Sequence, residues 1–135
     1  MEATAKTAKK TRTITLTDRR PARIVEEDWP ILAKAQDDSY HGNDYCRRQQ
    51  ALAQGELDRY SLIVREHEDG RVLVYAVIHG ATAWTGTRDY RGGEMLDDEA
   101  DVVAAIRRVG GTAVGRGMPE RLIDECIGDL PAEEV

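Results

Sequence analysis

The fold of this chain is decided by residues 60–78, which read YSLIVREHEDGRVLVYAVI. Two runs of mainly aliphatic residues flank Asp69 and Gly70, and an Asp-Gly pair supplies the positive φ angles that a tight hairpin turn needs. The second run, residues 72–78, is apolar on both faces, which indicates a strand covered on both sides. We therefore expect this hairpin at the centre of a sheet.

A second strand pair is predicted nearer to the N-terminus. Residues 13–17 alternate threonine with Ile14 and Leu16, which places both aliphatic side chains on one face of a strand. A turn then leads to a short returning strand at residues 22–25. Because Pro21 cannot donate a hydrogen bond to a ladder, this returning strand is expected to begin at an edge or a loop.

Helical periodicity is found in three segments, residues 26–36, 97–109 and 119–128. Residues 45–56 form a weaker candidate helix, since their composition favours a helix but offers little apolar anchorage. The predicted inward stripes consist of Trp29, Leu32, Ala33 and Gln36 in the first helix, Val102, Val103, Ile106 and Val109 in the second, and Leu122, Ile123, Cys126 and Ile127 in the third.

Glycine-rich stretches separate these segments. Residues 86–93 read as a loop, with a short strand expected before it at residues 83–85. Gly110 and Gly111 are expected to stop the second helix and to open a flexible linker over residues 112–117. The predicted fold class is α+β, with a small antiparallel sheet built from two β-hairpins and covered by two or three helices.

Length and composition indicate one domain. A chain of 135 residues is long enough to bury a core without a metal or a disulfide, and we expect a disordered basic tail over residues 1–11 and one globular domain over residues 12–135. No apolar run approaches the ~18 residues of a membrane span, so a soluble, cytoplasmic protein is expected. The two cysteines, Cys46 and Cys126, lack the spacing of a zinc site or a disulfide framework.

Charge is distributed unevenly along the chain. The formal net charge is −6, yet residues 1–23 hold seven basic and only two acidic residues, which leaves the remainder strongly acidic. From Glu94 onward there are eleven acidic residues and four arginines. Such a surface repels a phosphate backbone, so any contact with nucleic acid is expected to fall to the N-terminal part.

A search for catalytic motifs is mostly negative. Metal-binding, phosphate-binding and nucleophile-elbow patterns do not occur, so no metal, no cofactor and no enzymatic activity are predicted. One alternative is a cysteine-dependent hydrolase that uses His41 and Cys46, which needs the thiolate within hydrogen-bond reach of an oriented base. The same loop is a better candidate for binding, through Tyr40, Asn43, Asp44 and Tyr45, since tyrosine and asparagine are favoured contact residues.

Several strings resemble small uncharacterised proteins carried on bacterial plasmids and integrated mobile elements. They are residues 11–17 (TRTITLT), 19–21 (RRP), 24–30 (IVEEDWP), 104–109 (AAIRRV) and 129–134 (DLPAEE), and the resemblance spans most of residues 11–135. It brings no assigned activity and no functional residues. It does imply a context, because compact acidic proteins of mobile elements include anti-defence inhibitors, such as anti-CRISPR proteins, that occlude a nucleic-acid-binding surface.

The expected function is therefore a non-enzymatic acidic protein-binding module of a mobile genetic element, of the anti-CRISPR-like kind, whose partner has a basic nucleic-acid-handling surface. If the helices pack inward through their apolar stripes, their outer faces present a set of acidic residues, which are Asp98, Glu99, Asp101, Glu120, Asp124 and Glu125.

The alternative function is a DNA-associated accessory or regulatory protein. It depends on the basic N-terminal residues Lys9, Lys10, Arg12, Arg19, Arg20 and Arg23, which are able to contact phosphates. A competing interpretation is that these arginines pair with the acidic body of the protein.

Overall fold

The computed structural model describes residues 10–37, 60–79 and 90–132. These residues form six strands and two α-helices, so the predicted α+β class is confirmed. In chain order the elements are β1 (Thr11–Leu16), β2 (Pro21–Val25), β3 (Ile31–Asp37), β4 (Tyr60–Glu66), β5 (Val72–Ile78), β6 (Tyr90–Leu96), α1 (Val102–Val114) and α2 (Arg121–Gly128).

All six strands belong to one sheet, in the order β2-β1-β6-β5-β4-β3. Four of the strand pairs are antiparallel, whereas β1 and β6 run parallel to each other. The sheet is therefore mixed, and it is larger than the expected antiparallel sheet built from two hairpins alone. The reason is that β6 lies between the β1–β2 pair and the β4–β5 pair and joins them into one sheet.

The stretch that decides the fold forms the expected β4–β5 hairpin. Its register runs from Tyr60 opposite Ile78 to Glu66 opposite Val72, and Gly70 in the connecting turn has a φ of 97°. Every residue of β5 is buried. Its alternate side chains enter two separate apolar clusters, one under the helices and one on the opposite face of the sheet, as a strand covered on both sides requires.

The helix predicted over residues 26–36 is wrong. Only Glu26–Asp28 makes a single 3-10 turn, and the chain then enters strand β3. The side chains of Ala33 and Ala35 are buried under the helices, while Trp29 packs in the cluster on the opposite face. Pairing with β4 satisfies the backbone groups on one side of β3 and overrides the local helical periodicity of this segment.

Two glycine predictions are also wrong. Helix α1 continues through Gly110 and Gly111 to Val114, so residues 112–114 are helical rather than part of a flexible linker. A Cβ on Gly110 would lie 2.5 Å from Cγ1 of Ile123, so the missing side chain lets α2 pack closely against α1. In the same way Gly92 and Gly93, predicted in a loop, lie inside strand β6.

Gly93 provides a direct test of this close packing. A Cβ at Gly93 would collide with the carbonyl oxygen of Val74 and would lie 2.7 Å from the Cα of Tyr75. We expect Gly93→Ala to lower the free energy of unfolding by about 1–3 kcal/mol, since the strands must shift apart. The measurement is denaturant unfolding followed by circular dichroism.

Gly111→Ala is the matched control, because a Cβ at this helical position meets nothing within 4 Å. It is expected to stabilise the protein by roughly 0.5–1 kcal/mol through helix propensity. If Gly93→Ala is as stable as the parent protein, the close approach of β6 to β5 is not as described.

Both helices lie on one face of the sheet. Helix α1 packs on β5 and β6, and α2 packs on β3 and β4. The predicted inward residues Val102, Ile106, Val109, Leu122 and Cys126 are buried, and Ile123 and Ile127 are partly buried. Val103, which belongs to the predicted stripe of α1, is instead 39% exposed, because it lies one position past the buried Val102 on the helix surface.

A buried arginine ties the opposite face of the sheet together. The guanidinium of Arg65 donates hydrogen bonds to the hydroxyl of Tyr75 and to the backbone carbonyl of Trp29, each at 2.9 Å. It also lies 3.6 Å from a carboxylate oxygen of Glu26, whose second oxygen accepts a hydrogen bond from Arg12 at 2.6 Å. A charged residue inside β4 is therefore part of the core.

Candidate protein-binding surface

The residues that lead into α1 carry the first group of predicted acidic side chains. Asp98, Glu99 and Asp101 are all exposed. Negative charge is favourable here, since the N-terminal end of a helix carries a partial positive charge. A carboxylate oxygen of Asp98 accepts the N–H of Ala100 at 2.8 Å, which stabilises the turn before the helix. The acidic residues therefore have a local role and stay accessible.

Glu99 lies close to a second carboxyl group at the end of β4. Burial raises the pKa of Glu66, and the negative charge of Glu99 and a hydrogen bond between the two side chains raise it further. The hydrogen bond needs a proton on one of the two carboxyl groups, whereas two charged carboxylates repel each other, and a cation that approaches both relieves that repulsion. This end of α1 is therefore electrostatically suited to a positively charged group.

Helix α2 carries the second group of predicted acidic residues, and Glu120, Asp124 and Glu125 are all exposed. Arg121 donates to Glu125 at 2.6 Å and to Asp37 at 2.5 Å. The hydrogen bond to Glu125 raises the pKa of Arg121 above its usual value. The pairing tethers α2 to β3 and neutralises part of the charge on Glu125, which leaves Asp124 and Glu120 as the more open charges.

The six acidic residues Asp98, Glu99, Asp101, Glu120, Asp124 and Glu125, named here the acidic surface, all lie in the layer formed by the two helices and the turn before α1. Arg108, Arg116 and Arg121 of this layer are engaged within the chain, whereas Arg107 is exposed. Arg108 pairs with Glu94 through three hydrogen bonds of 2.7, 3.0 and 3.2 Å, and Arg116 lies over the ring of Tyr90 at 4.2 Å. Such pairing leaves less positive charge to offset the acidic surface.

The basic residues that the alternative function depends on fall into two groups, those paired with a carboxylate and those that are exposed. Arg12 is bonded to Glu26, and Arg20 donates to Asp18 at 2.6 Å in the β1–β2 turn. Lys10, Arg19 and Arg23 are exposed, and Lys9 lies outside the described residues. Two of the five described basic residues are thus paired with carboxylates, and Arg12 pairs with a carboxylate outside the basic segment whereas Arg20 pairs with one inside it.

The other predicted contact residues lie outside the part of the chain that the structure describes. They are Tyr40, Asn43, Asp44 and Tyr45 of the polar loop, together with His41 and Cys46 of the hydrolase alternative. The helix at residues 45–56, the strand at residues 83–85 and the tail up to residue 9 also fall outside it. Thr11, assigned to the tail by its composition, is part of β1.

Cys126 is the core residue that its place in the stripe of α2 predicted. Its side chain is fully buried, and its sulfur lies 3.6 Å from the backbone carbonyl oxygen of Leu62. Burial, assisted by the negative charge of Asp129, raises the pKa of the Cys126 thiol to about 12. At neutral pH this thiol is protonated and inert towards electrophiles.

The tertiary structure also forms a groove that no sequence pattern predicted. It has a volume of about 950 Å³ and lies between the start of α1, the strand β3 and the residues that follow α2. Leu32, Val103, Ile127 and Leu130 contribute apolar side chains to its walls, and Glu99 contributes a carboxylate. Val103, a large apolar residue that is exposed, lies in the wall of this groove.

The edge of the sheet beside this groove is covered. Strand β3 is an outer strand, which ordinarily leaves backbone groups open to pairing with another chain. A carboxylate oxygen of Asp129, just after α2, accepts the N–H of Lys34 at 2.9 Å. Together with the pairing of Arg121 and Asp37, this contact docks α2 against the edge strand.

Within residues 10–37, 60–79 and 90–132, no three His, Cys, Asp or Glu side chains are arranged to hold a metal ion. Over the same ranges no helix is long and apolar enough to cross a membrane.

Comparison with protein-family models, with curated proteins and with solved structures finds no match to this chain.

Proposed function

We propose that this protein is a non-enzymatic acidic protein-binding module that occupies the basic, nucleic-acid-handling surface of a target protein. The observation that carries the proposal is the acidic surface, whose six carboxylates are exposed while Val102, Ile106, Val109, Leu122 and Cys126 of the two helices are buried. The resemblance to proteins of mobile elements adds the biological role of an anti-CRISPR-like inhibitor.

The physics of such a surface favours a target that normally binds phosphate. Lysine and arginine side chains that donate hydrogen bonds to phosphate oxygens also bind carboxylates, since both groups offer charged oxygen acceptors. The negative field speeds encounter with a basic partner and is screened over about 8–10 Å at physiological ionic strength. Binding to the target is therefore expected to be fast at low salt and slower as salt rises.

Charge reversal on α2 tests this mechanism. The partner is first isolated by affinity pull-down from a bacterial lysate and identified by mass spectrometry. We expect the double variant Asp124→Lys and Glu125→Lys to fold normally, because both side chains are exposed and an exposed ion pair contributes only about 0–1 kcal/mol. Its association rate with the partner at low salt should fall at least ~5-fold, since electrostatic steering is reversed.

The matched control reverses the same amount of charge away from the helix layer. Asp28 and Glu68 are exposed in the 3-10 turn and in the β4–β5 turn, so Asp28→Lys with Glu68→Lys gives the same net charge. This control is expected to slow association less than 2-fold by surface-plasmon resonance. If both double variants associate as fast as the parent chain, the acidic surface is not the binding face.

The two alternatives have separate outcomes. Tight duplex binding in a gel shift, weakening steeply with salt, would favour the DNA-associated function. For the hydrolase, thiol labelling of the native protein reports on Cys46, because the thiol of Cys126 is buried and protonated. A Cys46 that reacts much faster than a free thiol would contradict the non-enzymatic assignment.

A further inference from the structure

The groove between the start of α1, strand β3 and the residues after α2 leaves apolar surface open. Val103 in its wall is 39% exposed, one of two large apolar residues with that degree of exposure among the described residues. The second is Ile31, which is 47% exposed and is not part of the lining. Apart from Glu99, every described residue that lines the groove is apolar.

We infer that this groove binds a basic amphipathic α-helix of the partner protein. The inference rests on the proposed function and specifies the chemistry of its partner. The apolar ridge of that helix lies against the groove wall, and lysine or arginine side chains at one end of the helix meet Glu99 and its acidic neighbours.

The walls of the groove favour a helix over other occupants. Val102, Val103 and Ile127 of the lining belong to helices, whose coiled backbone gives an added strand no ladder to pair with, and the N–H of Lys34 on the neighbouring edge strand is already bonded to Asp129. Among the described side chains of the lining, Glu99 is the one polar group, so the side chains offer a small polar molecule a single partner. A helix satisfies its own backbone and presents apolar side chains at i, i+3, i+4 and i+7, which suits the apolar side chains in the groove wall.

The charge around the groove specifies a basic helix. Glu99 lies in the wall and interacts with the carboxyl group of Glu66, and Asp98 and Asp101 are exposed on either side of Glu99 in sequence. The sequence from residue 94 to residue 106 contains no basic residue. A second copy of this chain seated symmetrically would bring its own carboxylates to the same place, and the like charges would repel.

The experiment measures binding of a defined helical probe to the full-length protein by fluorescence anisotropy. The probe is a fluorescein-labelled peptide of about 18 leucine and lysine residues, or five turns, with leucine along one helical stripe. A counterpart has every lysine replaced by glutamate. We expect the lysine peptide to bind at least ~10-fold more tightly than the glutamate peptide.

Three protein variants test whether the peptide binds in the groove. Val103→Gln removes apolar surface from the wall and is expected to weaken binding of the lysine peptide by about 10-fold. Ile31→Gln removes a side chain of comparable exposure outside the groove, and its effect should stay below about 2-fold. Glu99→Gln should weaken binding severalfold and reduce its dependence on salt. Thermal unfolding of each variant verifies that it is folded.

Equal loss in the Val103→Gln and Ile31→Gln variants would overturn the inference, and so would equal binding of the two peptides. A concentration-dependent dimer that Val103→Gln dissociates would assign the groove to a second copy instead. The test is separable from that of the proposed function. If Val103→Gln weakens binding of the isolated partner and charge reversal of Asp124 and Glu125 does not slow it, the groove inference stands and the electrostatic mechanism fails.

Discussion

Replacing Arg65 with alanine is expected to lower the free energy of unfolding by about 3–5 kcal/mol. The guanidinium is buried, with 5% of the residue exposed, and its loss leaves the hydroxyl of Tyr75 and the carbonyl of Trp29 without this donor. An unsatisfied buried polar group costs about 1–3 kcal/mol, and the space left by the side chain adds to that cost. Equilibrium unfolding in urea measures the change.

Two controls separate the buried hydrogen bonds from the surface ion pair. Tyr75→Phe removes one acceptor and leaves Arg65 bonded to Trp29, so its cost should be smaller, about 1.5–3 kcal/mol. Arg12→Ala removes the more exposed partner of Glu26 and should cost about 1 kcal/mol or less. If Arg65→Ala costs no more than Arg12→Ala, the arginine is not part of the core in solution.

Ile106→Ala is expected to lower the free energy of unfolding by about 2–5 kcal/mol. Ile106 is completely buried in the cluster that α1 forms with the sheet and α2, so truncation removes apolar contact and leaves a cavity. The variant should unfold at lower urea concentration with an unchanged slope, since only native-state packing is lost.

Val103→Ala is the matched control for the helix, because Val103 lies on the same helix and is 39% exposed. Substitutions on an exposed surface are usually within about 0.5 kcal/mol of neutral. A neutral result at Ile106, or an equal loss at both positions, would mean that α1 buries a different face.

Much of the acidic surface is predictable from periodicity. The stripe formed by Val102, Ile106 and Val109 specifies which face of α1 turns inward, and the acidic residues of both helices then fall outside. The groove is not predictable in this way. It depends on Leu32 from β3 and Leu130 after α2 meeting the start of α1, and these residues are far apart in sequence.

The sequence by itself determined the features that depend on neighbouring residues. The β4–β5 hairpin follows from two apolar runs around an Asp-Gly turn, and the β1–β2 pair follows from alternation and from the position of Pro21. In both cases the turn chemistry and the period of the side chains act within about 20 residues. Helix α2 is likewise specified by its own apolar stripe.

Tertiary structure alone decided the elements whose backbone depends on distant partners. Residues 31–37 form a strand because β4 supplies a ladder that outweighs their local helical pattern. Gly93 lies inside β6 because β5 packs where its Cβ would stand, and Gly110 lies inside α1 because Ile123 of α2 packs where its Cβ would stand. A glycine permits a helix or strand to end, and it also permits a neighbouring element to pack closely on it. At Gly93 and Gly110 the packing of the neighbouring element decides between the two.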